Sequence, residues 1–182
     1  DFEKRFNDQI DRMDEIVRYQ LRKPATASKE RHVLQAVQVE KEITRLVDGL
    51  QKVYRDKAPQ IVVDVSPGMQ FRGDSGDFLE LAGNLLDNAC KWCKQRVEIS
   101  VSPLSASATV ASGMQLIVAD DGPGIPKEST DTLLERGMRL DESTPGHGIG
   151  LAVVNDIARS YGGTLSIQQS KIGGAQITVS IP

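Results

Sequence analysis

Three groups of residues have the types and spacings that chemistry requires. The first is an acidic, glycine-rich bend, Asp120, Asp121, Gly122, Pro123 and Gly124, which closes the apolar run Leu116 to Ala119. A carboxylate at the end of a buried strand can accept a hydrogen bond from an exocyclic amine, and Gly122 and Gly124 let a flat ring approach the backbone. An amine-bearing base such as adenine suits that bend. The second group is the alternating glycines Gly146, Gly148 and Gly150, which open an apolar helix. Glycines leave backbone N–H groups uncovered, and the helix terminus behind them carries about half a positive charge, so polyphosphate fits there. The third is a polar stripe, Glu80, Asn84, Asn88 and Lys91, at spacings of four, four and three in an otherwise apolar helix. Asparagine is a middling helix former, and two of them one turn apart add nothing to a solvent face that Lys or Glu would not supply better. Stacked amide oxygens can hold a hydrated Mg²⁺ beside phosphates, with Lys91 as a point charge.

Each group alone also has an ordinary reading. Asp-Gly and Pro-Gly are common turn dipeptides, and a polar helix stripe can serve helix–helix hydrogen bonds. The sequence contains no GxxxxGK[ST] and no GxGxxG after a strand, so the usual glycine-rich phosphate loops are not available. What carries information is the combination.

The elements that must position these groups follow from periodicity. Asp74 reads as an N-cap, and Phe78, Leu79, Leu81, Leu85, Leu86, Ala89 and Trp92 form the expected buried face of the helix bearing the polar stripe. Met114 to Ala119 is the strand feeding the acidic bend, and Val97 to Val101 alternates as another. Ile149 to Tyr161 is a second core helix ended by Gly162 and Gly163, and Thr164 to Gln169 with Ala175 to Ile181 form a hairpin through Gly173 and Gly174. Earlier, Val33, Val37 and Val39 alternate like a short strand, Ile43 to Tyr54 carries a helical face ending before Pro59, and Ile61 to Val65 is a β-branched strand. Phe2, Phe6, Ile10, Met13, Val17 and Leu21 make a helical seam that needs a partner helix, and Pro24 ends it. The long connection from Ile125 to His147 has one short helical patch around Leu133. Arg136 and Arg139 in it can reach a terminal phosphate if it folds over the site.

A chain of 182 residues with 39% hydrophobic content supports one good core plus an appendage. Its net charge of −3 argues against nucleic-acid binding by bulk charge, so no nucleic-acid partner is expected. No run approaches the ~20 apolar residues that span a bilayer. The start at Asp1 suggests a segment of a longer protein. Cys90 and Cys93 form a CxxC that falls late in a helical pattern, where packed, reduced thiols fit better than a zinc or redox site. His32 lies in a polar run and reads as a surface residue.

Taken in order, NLLDNACKWC, DDGPGI and GHGIGL resemble the N, G1 and G2 boxes of the GHKL ATPase and kinase superfamily, and within it the sensor histidine kinases. ERGMRLD and GGA extend the likeness, which covers roughly residues 30 to 182. The resemblance implies an α/β (α+β) two-layer sandwich of the Bergerat ATP-binding type, a mixed sheet with helices on one face, preceded by a long N-terminal helix. Residues 1–24 would be the second helix of a dimerisation hairpin, 25–30 a linker and 31–182 the catalytic ATP-binding domain.

ATP and Mg²⁺ are the implied cofactors. Asn84 would hold Mg²⁺, Asn88 and Lys91 would meet the phosphates, and Trp92 would stack on adenine. Asp120 would take the adenine amine, with Gly122, Gly124 and Ile125 around the ring. Gly146, Gly148, Gly150 and Leu151 would form the phosphate side, and Arg139 would approach the γ-phosphate. Glu80 would accept the proton of an attacking imidazole or, in the rival hydrolytic reading, polarise a water as general base. A nonenzymatic nucleotide sensor is the third possibility.

Two departures stand out: Thr144 replaces a second lid arginine, and Leu133 and Leu134 stand near the family's F-box phenylalanine. The phosphoacceptor histidine is absent, since neither His32 nor His147 has its setting. The implied function is transfer of the γ-phosphate from Mg-ATP to a histidine on the upstream dimerisation helix, and from there to a response regulator. The full-length protein would be a homodimer, with this part the cytoplasmic domain of an inner-membrane sensor.

Overall fold

A computed structural model describes residues 36–104, 113–125 and 150–182. The seam of residues 1–24, the linker, His32 and the connection bearing Leu133, Arg136, Arg139, Thr144, Gly146, His147 and Gly148 lie outside the described residues. The described chain runs β1 (Val37–Gln38), α1 (Val39–Val53), β2 (Gln60–Val65), β3 (Gln70–Phe71), α2 (Ser75–Trp92), β4 (Arg96–Pro103), β5 (Met114–Asp120), α3 (Gly150–Ser160), β6 (Thr164–Gln169) and β7 (Ala175–Ile181).

Five strands form one mixed sheet in the order β2-β4-β5-β7-β6. β2 and β4 are parallel, and the crossover that parallel pairing requires is made by α2. The other three pairs are antiparallel, with Val118 opposite both Ile99 and Ile177 in the middle of the sheet. Alternation sorts the faces: Val97, Ile99, Val101, Leu116, Val118, Ile177 and Val179 are buried beneath the helices, while Ser100, Gln115, Thr178 and Ser180 between them are only partly covered. The result is the expected two-layer α/β sandwich.

Helix α2 is the middle of the helical layer. Asp74 caps it as the sequence predicts, with Oδ1 accepting from the Gly76 and Asp77 amides at 2.8 and 3.1 Å. Phe78, Leu81, Ala82, Leu85, Leu86, Ala89 and Cys90 are its buried residues. Two members of the predicted apolar face do not belong to it, since Leu79 is only partly covered and Trp92 is 39% exposed. Trp92 is the last residue of the helix, where the chain turns away from the core toward β4.

Two further differences concern short elements. Val39 begins α1 rather than continuing a strand, so the strand-like run is reduced to Val37–Gln38. That pair forms a small antiparallel sheet with Gln70–Phe71, which two residues of sequence could not announce. Phe71 then packs on Phe78 and edge-on against Tyr161, with ring centroids 5.4 and 5.0 Å apart. The Tyr161 hydroxyl accepts from the Asp74 amide at 3.0 Å and donates to Asp77 at 2.8 Å, so the end of α3 is tied to the start of α2. Phe78 is fully buried in this cluster. Phe78→Ala is expected to lower stability by about 4 kcal/mol, read as a shift in the urea midpoint at unchanged slope.

A candidate nucleotide site along helix α2

The polar stripe of α2 faces the start of α3. A Cβ built on Gly150 would stand 3.0 Å from Asn84 Oδ1 and 3.4 Å from Asn88 Nδ2, so the two amides lie directly against the first residue of α3. Asn84 Nδ2 donates to the Glu80 carbonyl at 2.8 Å. That bond fixes the amide with Oδ1, its acceptor, turned toward Gly150. Glu80, Asn84, Asn88 and Lys91 are all partly covered rather than fully solvated. Lys91 Nζ lies 5.4 Å from the centroid of the Trp92 ring, close enough for a cation–π contact.

At its other end α2 meets the acidic bend. Gly122 is buried with its Cα against the Trp92 carbonyl, in a space that any Cβ would fill. Asp120 is 6% exposed at the end of β5. Its Oδ1 accepts from the Gly122 amide at 2.8 Å and the Ala175 amide at 3.3 Å, while its backbone carbonyl accepts from Gly174. The hydrogen bonds that the Asp120 side chain accepts from described residues thus converge on Oδ1, which leaves Oδ2 to face a further donor. Burial pushes the Asp120 carboxyl above the ordinary value, an effect only partly offset by those two amides.

Asp121 has a different task. Its carboxylate accepts from the Lys94 and Gln95 amides at 2.7 and 3.1 Å and so fastens the turn between α2 and β4. Partial burial would raise its carboxyl, but the backbone bonds of Arg96, Gln95 and Lys94 outweigh that and hold it below the usual carboxylate value.

The predicted residues therefore fall into two groups joined by one helix: Asn84, Asn88 and Gly150 at one level, Trp92, Asp120 and Gly122 at the other. Gly124, at φ +79°, continues the bend past the Gly174 carbonyl. Ile125 is partly covered, and Leu151 packs on the core. Arg139, Gly146 and Gly148 are outside the described residues.

From the sequence, Gly174 stands out as a turn residue and as part of the GGA run of the resemblance, with no role at the site. A side chain there would run into Asp120 Oδ1, so its lack of one lets the β6–β7 hairpin buttress the carboxylate. The two adjacent glycines before β7 were the available signal. Cys90 and Cys93 are free and buried, with burial lifting the Cys90 thiol to about 12 and also raising Cys93.

A family model described as histidine kinase-, DNA gyrase B- and HSP90-like ATPase matches residues 73–182. The sensor protein PhoQ of Escherichia coli K12 is 40% identical over 137 residues, 75% of this chain and 27% of that protein. The virulence sensor histidine kinase PhoQ of Salmonella typhimurium LT2 matches to the same extent. The chain thus spans 27% of the length of these curated relatives. Among solved structures, a mycobacterial sensor histidine kinase, MprB, superposes with a TM-score of 0.69 at 28% identity, over 81% of this chain and 96% of that one. Full-length ShkA in complex with AMPPNP superposes at 0.71 with 23% identity, over 86% of this chain and 32% of that one, a likeness of fold. Among the described residues no helix is long and apolar enough to cross a membrane. With the family model covering more than half of the chain, the chain belongs to the histidine kinase-, DNA gyrase B- and HSP90-like ATPase family.

Proposed function

We propose that this domain binds Mg-ATP along α2 and presents the γ-phosphate to a histidine on a helix preceding it in the full-length protein. The observation that carries this reading is the two-level arrangement on one helix. Asn84 and Trp92 are eight residues apart, about 12 Å along the axis, a separation that a nucleotide laid beside the helix bridges from base to phosphates.

At the base end, Asp120 Oδ2 accepts from the adenine amine while Oδ1 stays engaged with the backbone, and Gly122 and Gly124 make room for the ring, with Ile125 beside it. The exposed face of Trp92 stacks on the purine. At the phosphate end, the first amides of α3 at Gly150 and Leu151, together with Gly146 and Gly148, meet the phosphates, joined by Asn88 and Lys91. Asn84 Oδ1 fits a hydrated Mg²⁺, because it is an oxygen acceptor held at the α3 terminus where the phosphates would lie. Bound there, the ion neutralises charge on the triphosphate.

Phosphoryl transfer needs chiefly positioning and charge neutralisation, and Arg139 adds a charge at the γ-phosphate. Glu80, one turn before Asn84, accepts the proton of the attacking imidazole. The likeness to the sensor histidine kinase PhoQ and to ShkA, which holds AMPPNP, supports this reading. It places the domain on the cytoplasmic side of an inner-membrane homodimer that passes phosphate on to a response regulator.

Trp92 is the one tryptophan in the sequence, so its emission reports on the base end of the site. Titrating the chain with AMPPNP is expected to quench Trp92 saturably, with Mg²⁺ tightening the midpoint about tenfold. No change in emission and no heat of binding at millimolar analogue would overturn the proposal.

A further inference from the structure

The segment between α1 and β2 contributes a lysine to the end of α2. Lys57 Nζ donates to the carbonyl oxygens of Cys90 and Lys91, at 2.7 Å in each case. Those carbonyls belong to the last turn of the helix, where intrahelical partners run out and the macrodipole is negative. An ammonium there satisfies both demands at once. The same ammonium sits against the Cys93 thiol, where it opposes the rise that burial imposes on that group.

The grip is two-sided. Three residues before Lys57, the Tyr54 hydroxyl donates to Asp87 Oδ1 at 2.9 Å, and the Lys57 and Ala58 amides close back on the Tyr54 carbonyl. Beyond Trp92 in the chain, the Asp121 carboxylate holds the Lys94 and Gln95 amides. Trp92 lies between these fastenings, its carbonyl against Gly122 and its ring partly exposed.

We infer that Lys57 is a positioning residue for the base end of the nucleotide site: by capping the Cys90 and Lys91 carbonyls it fixes the Trp92 ring and the Gly122 floor without touching the nucleotide. The inference rests on the ATP reading above. Without the ammonium, both carbonyls lose their strongest, charged donor, the Cys90 carbonyl keeping the weak Cys93 thiol, and the terminal turn frays, which swings the Trp92 ring away. Asn84 and Asn88 lie farther inside the helix, at the levels where its own ladder is complete. The phosphate end therefore keeps the geometry of Asn84, Asn88 and Gly150 and is disturbed only through Lys91, so the defect falls chiefly on ligands that carry a base.

The test compares the wild-type chain with Lys57→Met, which keeps the alkyl stem, and Lys57→Arg, which restores charge and donors. Binding of Mg-AMPPNP and of base-free Mg-tripolyphosphate is measured by calorimetry, with Trp92 emission recorded before ligand is added. Lys57→Met is expected to weaken Mg-AMPPNP about tenfold, weaken tripolyphosphate by no more than about twofold and shift the unliganded emission, and Lys57→Arg to recover most of the loss. A lowered urea midpoint with unchanged Mg-AMPPNP affinity would mean a merely structural cap and would overturn the inference. Equal losses for both ligands would overturn it as well. Absence of Mg-AMPPNP binding to the wild type would instead overturn the ATP reading itself, and the role of Lys57 with it. If Lys57→Met does not fold, Lys57→Gln, which keeps a donor without the charge, takes its place under the same criteria.

Discussion

Asp120→Asn is expected to weaken binding of a Mg-ATP analogue by about 10- to 100-fold while leaving the fold intact. The substitution is informative because the carboxylate has two unlike oxygens. Oδ1 is committed to the Gly122 and Ala175 amides, and an asparagine keeps that acceptor. Only the outward atom changes, from the oxygen proposed to accept the adenine amine to an NH₂ that would oppose it, donor against donor. Removing one partner of a buried, charge-assisted hydrogen bond costs about 1.5 to 3 kcal/mol, which sets the range.

The raised carboxyl of Asp120 adds two signs that can be checked separately. Binding needs the ionised form, so affinity falls with decreasing pH and begins to fall at a higher pH than an ordinary carboxylate would require. Stability runs the other way. A folded-state carboxyl above its unfolded value makes the ionised group a cost to the fold at neutral pH, and stability from this group is gained as pH falls through the folded value. The nucleotide-free Asp120→Asn protein is thus expected to be as stable as the wild type or more so at pH 7, while binding is lost. Calorimetric titration alongside urea denaturation separates the two effects. Unchanged affinity would remove Asp120 from the base end of the site.

Much of this geometry was legible in the residues because local rules and tertiary packing agreed. Asp74 is an N-cap by type and by contact, the strands alternate as their burial does, and asparagines one turn apart on α2 face another element rather than water. The misreadings have specific causes. Gln70–Phe71 is too short to show a period, and Val39 has a strand former's side chain at a helix start because its burial under the small sheet decides the matter. Trp92 continues the apolar spacing of α2, yet it falls on the final turn, where the core ends. Asp120 and Asp121 are identical neighbours in sequence, and only the pleat tells them apart, one carboxylate beside the β6–β7 hairpin and the other fastening the turn into β4. Gly174 and Lys57 act across more than fifty and thirty residues of chain respectively, distances at which no periodicity speaks.

The second large effect belongs to Asn84. Asn84→Ala is expected to remove the Mg²⁺-dependent part of analogue binding and to lower transfer of the γ-phosphate, to a supplied histidine-bearing dimerisation helix, by at least about 100-fold. The side chain is not free to be replaced by any acceptor: its Nδ2 bond to the Glu80 carbonyl is what turns Oδ1 toward Gly150. Asn84→Asp therefore makes the sharper variant. It keeps the size and one oxygen but sets a carboxylate against the Glu80 carbonyl, so the group must rotate, and activity is expected to stay low despite the added negative charge. Stability argues against a trivial cause. Alanine is the better helix former by roughly 0.5 kcal/mol, and the lost hydrogen bond is to a carbonyl already within the helical ladder, so Asn84→Ala should unfold at a urea concentration close to that of the wild type. Wild-type transfer by a well-folded Asn84→Ala protein would take the metal away from this helix and leave the amide stripe with no more than a packing role against α3.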